Sequence, residues 1–243
     1  MVPRSVSRAP HLRACSVALA VALLVGLATL GEAAPAPKTP AAPRSNQAKP
    51  PANTAQSALD QAKRLIDAEQ PEAAAVMLRR FIEGGPAPEF LDDAYLLMAA
   101  AMYGMKEHAE TIRYVNQLLG EFPNSDVVDR AKLLLAKTRA RAGNLDLALP
   151  LLSEVRSLSA DPAIKRDALR LTGEFQVQKK DFLRAIQAWL DELPLDVGDQ
   201  AHETENQIRE LVNDKLDAPA LMRVRDAYPK TFPGDLASIK LID

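Results

Sequence analysis

His202-Glu203 opens like the helix of a zinc hydrolase, in which a second histidine four positions after the first completes the metal pair and the glutamate activates water. Position 206 is Asn, so the second ligand is missing. His108 has no such partner either, and both histidines read as polar residues near helix starts. No stretch has the glycine spacing of a phosphate-cradling loop or a dinucleotide fold, and no serine sits in a nucleophile elbow. No set of Asp, Glu and His has metal-ligand spacing. The acidic pairs Asp92-Asp93 and Asp191-Glu192 fit solvated helix faces. The expectation is a chain with no catalytic residues, no cofactor and no metal, hence a binding protein and not an enzyme.

The elements that must carry any binding surface are helical. About half of the 243 residues are apolar, aromatics are few, and Ala and Leu are abundant, a mix that loses little on entering a helix. From Thr54 onward, amphipathic stretches alternate with short breaks at Glu69-Gln70-Pro71, Gly84-Gly85-Pro86, Gly104-Met105, Pro123-Asn124-Ser125, Gly143-Asn144 and Asp161-Pro162. No segment sustains a period of two, so no sheet is expected.

A repeat of 37 residues runs through these helices. Ala62, Ala99, Ala136 and Gly173 form one column of small residues, and Ala74, Thr111, Ala148 and Ala185 form a second. Leu78, Val115, Leu152 and Trp189 form a large apolar column, as do Ala75, Ile112, Leu149 and Ile186 with one small member. Antiparallel helices approach closely only where a small side chain sits at the crossing. The two small columns are therefore expected to be the packing points, with the Leu78 column filling the space behind. One such pair cannot bury its apolar face alone, so successive pairs must stack. Past residue 197 the step lands on Glu210 and Met222, and the register fails. Ala201 to Lys215 and Pro219 to Tyr228 read as helices, with another start at Pro233. Residues 198–243 are expected to form a degenerate fifth pair and a cap.

Small residues twelve positions apart, with a proline twelve further on, are the pattern of Ala62, Ala74 and Pro86; Thr111 and Pro123 repeat the later step. Gly173 and Ala185, with Phe182 before and Trp189 after, match best. This pattern resembles the tetratricopeptide repeat over residues 54–197, as four units slightly longer than that family's usual length. The resemblance implies an all-α solenoid of antiparallel helix pairs whose first helices line a groove for a protein or peptide. The groove positions it implies are Lys63, Asp67, Asp93, Tyr103, Arg130, Lys137, Arg141, Asp167 and Glu174, with a basic centre at Arg130, Lys137 and Arg141 suited to a charged peptide. A carboxylate-clamp subtype places a lysine where this chain has Leu59, Leu96, Leu133 and Arg170, so a more apolar contact surface is expected there. Tyr95 to Tyr103 is apolar all round and reads as buried between neighbouring pairs.

The N-terminal segment reads as an export signal. Arg4, Arg8 and Arg13 precede an apolar run from Ser16 to Leu30, shorter than the roughly 20 residues of a membrane span. Gly31 and Ala33 offer small residues at a cleavage site, giving residues 1–33 as signal peptide. Its rival is an uncleaved anchor. Cys15, the single cysteine, precedes the apolar run, so a lipoprotein is not expected. Residues 34–53 hold six prolines and no apolar side chain larger than Ala. They are expected to be a disordered, extended linker reaching roughly 60 Å, read as a spacer, with a wall-spanning or docking arm as the sharper reading. Losing Arg4, Arg8, Arg13 and Glu32 from a chain of 30 basic and 32 acidic residues leaves a net charge of about −4, which is not the footprint of a nucleic-acid binder.

Export combined with such repeats implies the periplasm or cell envelope. Glu121 to Ala136 (EFPNSDVVDRAKLLLA) resembles units of outer-membrane assembly and cell-division-coordinator proteins, and Tyr228 to Leu241 (YPKTFPGDLASIKL) resembles the end of the helical region of penicillin-binding-protein activators. The first expectation is a scaffold for envelope assembly that binds protein or peptide, with no nucleic acid and no small-molecule substrate. A spacer or self-associating solenoid and a non-catalytic regulator of a cell-wall synthase stand beside it.

Overall fold

The computed structural model describes residues 52–242. The signal segment, Cys15 and nearly all of the proline-rich linker lie outside the described residues. Within them are eleven α-helices and no strand: α1 (Ala52–Asp67), α2 (Pro71–Glu83), α3 (Leu91–Gly104), α4 (His108–Glu121), α5 (Val128–Arg141), α6 (Leu145–Leu158), α7 (Pro162–Gln178), α8 (Phe182–Glu192), α9 (Gln200–Glu210), α10 (Ala218–Ala227) and α11 (Phe232–Lys240). No helix among them is long and apolar enough to cross a membrane.

Consecutive helices pack in antiparallel pairs, as in a helical solenoid. Each of α2, α4 and α6 touches its own partner and the first helix of the next pair. The first helices α1, α3, α5 and α7 also touch in succession, while the second helices meet one another much less. The stack therefore curves, with the first helices on its inner side.

The small columns sit at the crossings. Ala62, Ala74, Ala99, Thr111, Ala136, Ala148 and Ala185 are all fully buried, and Gly173 is buried beside them. Thr111 meets its polar need locally, its hydroxyl donating to the Glu107 carbonyl at 3.0 Å. Behind the crossings lie Leu78, Val115, Leu152 and Trp189. In the fourth pair the exchange is extreme: a Cβ on Gly173 would stand 2.2 Å from the Trp189 indole nitrogen. Glycine is required there because tryptophan fills the space that an alanine methyl occupies in the other pairs. The core is thus a chain of small clusters, each shared by three successive helices and then by the C-terminal set.

The hairpin turns obey the same 37-residue step. Glu69, Lys106, Gly143 and Lys180 all have φ between 56° and 79°. After each, the next amide donates back across the helix end: Gln70 to Leu65, Glu107 to Met102, Asn144 to Arg139 and Asp181 to Gln176, at 2.8 to 2.9 Å. Together with the bond from each left-handed residue to the carbonyl three positions back, this is the Schellman closure, which satisfies the last carbonyls of the helix. Only Gly143 is the residue that this backbone prefers.

Two expectations change. Leu59, Leu96 and Leu133 form no contact surface: Leu59 and Leu133 are buried and Leu96 is half-buried, because their face of the first helix meets its neighbours. Residues 201–215 are not one α-helix, since after Glu210 the backbone widens into a π-helical turn over Leu211–Lys215.

Candidate binding groove on the inner helices

Eight of the nine candidate groove residues fall on three columns of the repeat, and Tyr103 stands on a fourth. Lys63, Lys137 and Glu174 share one, Asp67 and Arg141 a second, and Asp93, Arg130 and Asp167 a third. The structure brings four of the nine together. Tyr103 from α3, Lys137 and Arg141 from α5, and Glu174 from α7 line a cavity of about 490 Å³, joined by Arg170 and Phe175. Its floor is apolar, formed by the buried Leu171 and Phe175.

The charge in this cavity is unbalanced. Arg170 donates to Glu174 at 3.1 Å, one turn along α7, so that pair neutralises itself. The Arg141 guanidinium lies 3.9 Å from the Tyr103 ring centroid, a cation–π contact that orients it without cancelling its charge. Burial pushes the Tyr103 hydroxyl above its usual range, with Arg141 pulling the other way. Lys137 forms no salt bridge among the described residues. Two cations thus face a pocket with an aromatic wall and an apolar floor, an arrangement that attracts a carboxylate on a chain with apolar neighbours.

The other candidates lie elsewhere. Lys63 and Asp67 pair with each other at 2.7 Å on the exposed face of α1. Arg130 stands two turns along α5 from Lys137, and its field acts on Asp93. Burial, followed by repulsion from Asp92 and Asp126, raises the Asp93 carboxyl above its usual range, and Arg130 partly offsets this. Asp167 pairs with Arg166 at 3.2 Å and lines a different cavity, between α7 and α9.

Of the two acidic pairs only Asp191 lies on the solvated face expected of it. Asp92 is half-buried and accepts a 2.6 Å hydrogen bond from the Ser125 hydroxyl, tying α3 to the turn before α5. Glu192 is 1 % exposed. Burial, then the Asp196 carboxylate, raises it to about 8, against the opposing pull of Arg170 and Arg166. His202-Glu203 is exposed on α9, and no group of three or more His, Cys, Asp or Glu among the described residues is placed to hold a metal.

Arg170, Phe175 and Gln178 line the groove without being among the residues that the repeat pattern implies. A signal for Arg170 was present: it stands where the three preceding units have leucine, so the fourth unit alone is polar at that position.

No model of a known protein family matches this chain, and no curated protein is similar to it.

Proposed function

We propose that this chain is an exported adaptor of the tetratricopeptide type that holds an acidic segment of a partner protein along its inner helices and works as a scaffold in the cell envelope. The supporting observation is the pair of uncompensated cations, Lys137 and Arg141, at the mouth of a cavity with Tyr103 as its wall and Phe175 in its floor. An extended segment laid across α3, α5 and α7 places a Glu or Asp side chain, or a terminal carboxylate, against both cations and an apolar neighbour on the floor. The repeat spacing and the N-terminal sequence pattern support the export and family parts of the reading. On this reading the chain has no catalytic role, and regulation of a wall synthase or self-association are alternative uses of the same surface.

The test is binding of labelled peptides to the full chain. An acidic peptide with one aromatic residue should bind, and its charge-reversed counterpart should not. The double substitution Lys137→Glu and Arg141→Glu should weaken the acidic peptide at least about tenfold, and rising salt should weaken the wild type. Equal binding of both peptides, or indifference to the double substitution, overturns the reading. Cross-linking in intact envelopes tests the scaffold part separately, since groove-dependent capture should vanish in the same variant.

A further inference from the structure

Where the 37-residue register ends, α9 does not nest against α7 as α7 does against α5. The gap is a cavity of about 240 Å³ walled by α7, the C-terminal end of α8, the turn after it and α9. Its wall carries Glu192, Asp196 and Gln207, whose Glu192 Oε2, both Asp196 Oδ atoms and Gln207 Oε1 are buried and receive no hydrogen bond from any protein group. Leaving buried acceptors unmade costs far more than a made bond returns. The neighbouring arginines do not meet the demand. Arg166 donates to Gln200 at 2.7 Å and to Asp167 at 3.2 Å, and Arg170 is engaged by Glu174.

Counting donors narrows the occupant. A proton on Glu192 supplies one donor, for Asp196, and leaves the other Asp196 oxygen and the Gln207 carbonyl unmet. A metal ion is poorly served by two carboxylates with arginines alongside, and no metal-competent acidic group is found among the described residues. An alkylammonium brings three N–H donors, for three of these four oxygens, and one positive charge on a slim stem.

We infer that the cavity between α7 and α9 is a binding site for a primary ammonium group, held by Glu192, Asp196 and Gln207. The group comes either from a free diamine or from a lysine side chain of a polypeptide. The site is independent of the acidic-segment groove, with which it shares only Arg170.

The charged groups facing Glu192 are Arg166, Asp167, Arg170 and Glu174 from α7, Asp196 from the following turn, and Glu203 from α9. Because an empty site holds its proton up to about pH 8, ammonium binding must expel that proton. Affinity should therefore rise about tenfold from pH 6 to pH 7.

Thermal unfolding of the full chain at constant ionic strength tests this with 1,5-diaminopentane, Nα-acetyl-lysine methylamide and tetramethylammonium. The diamine should raise Tm by about 5 °C at saturating concentration, more at pH 8 than at pH 6. Tetramethylammonium, which has no N–H, should do nothing. Glu192→Gln and Asp196→Asn, each with its own melt as baseline, should abolish the shift. A response to the lysine derivative as well assigns the source to polypeptide lysine; a response to the diamine alone assigns it to a free diamine. No shift with either amine, an equal shift with tetramethylammonium, or an equal shift in both variants overturns the site.

Discussion

The four regular pairs, from α1 to α8, and the C-terminal end, from α9 to α11, are built from similar helices with apolar cores yet close on their neighbours differently. In the regular part, each crossing has a small residue, the helices close on one another, and the few buried polar side chains are Thr111, Thr138, Ser159 and Gln176, with Glu192 at the very end of α8. At the C-terminal end, the same step places Glu210 and the half-exposed Met222 where Gly173 and Ala185 stood one unit earlier. Close approach is lost, the backbone widens into a π-helical turn, and a polar gap with a buried carboxylate opens. The difference shows that close packing here depends on one small side chain per crossing and not on helix propensity. The C-terminal end keeps its cohesion by other means: the Tyr228 hydroxyl donates to the Leu183 carbonyl at 3.1 Å, and Arg209 covers the Phe232 ring.

Placing bulk at the same column position in each region tests this most severely. Ala136→Phe forces a ring into a fully buried crossing and should cost about 4 kcal/mol or more in urea unfolding. Glu210→Phe, one column position two units later and exposed, should change stability by about 0.5 kcal/mol or less. Similar losses at the two sites would erase the distinction between the regions.

The carboxylate in the gap gives the next largest effect. Glu192 titrates near pH 8 when folded and near the usual carboxylate range when unfolded. The folded state therefore holds an extra proton between those values, and stability must fall as pH rises through that window. Wild-type stability should drop by about 2–4 kcal/mol from pH 5 to pH 8.5, while Glu192→Gln should stay nearly flat. A flat wild-type profile would mean that the gap is as wet as the surface.

A sharper comparison lies within the regular part. Gly173→Ala drives a methyl into Trp189 and should cost about 2 kcal/mol. Combining it with Trp189→Leu, which restores the pairing of the third unit, should recover part of that loss, and the coupling is read from a double-mutant cycle. The smallest effect concerns the turns. Lys106→Gly places at a left-handed position the residue that Gly143 supplies one unit later, and should stabilise by about 0.5–1 kcal/mol. A loss instead would show that the lysine stem contributes packing that its exposure hides.

Much of the fold was legible because its cause is periodic. A 37-residue step in side-chain size identifies crossings without any knowledge of distant contacts, and it marked Ala62, Ala136 and Gly173 directly. The turn column 69, 106, 143 and 180 was harder to see, since Glu, Lys, Gly and Lys share a backbone conformation and no side-chain property. The groove was half legible. Tyr103, Lys137, Arg141 and Glu174 follow from helical phase, but phase does not tell which of nine polar residues meet across helices. Arg130 and Lys63 share the phase and stand elsewhere.

Sequence alone determined the helical class, the pair length, the columns of small residues and the point where the repeat lapses, because each is written in local spacing. Tertiary structure alone decided that the Asp191-Glu192 pair divides, with Asp191 exposed and Glu192 sealed in. Burial of a carboxyl group depends on what a distant helix fails to fill, and α9 fails to fill the space beside α7 because the small residue that would let it close is absent.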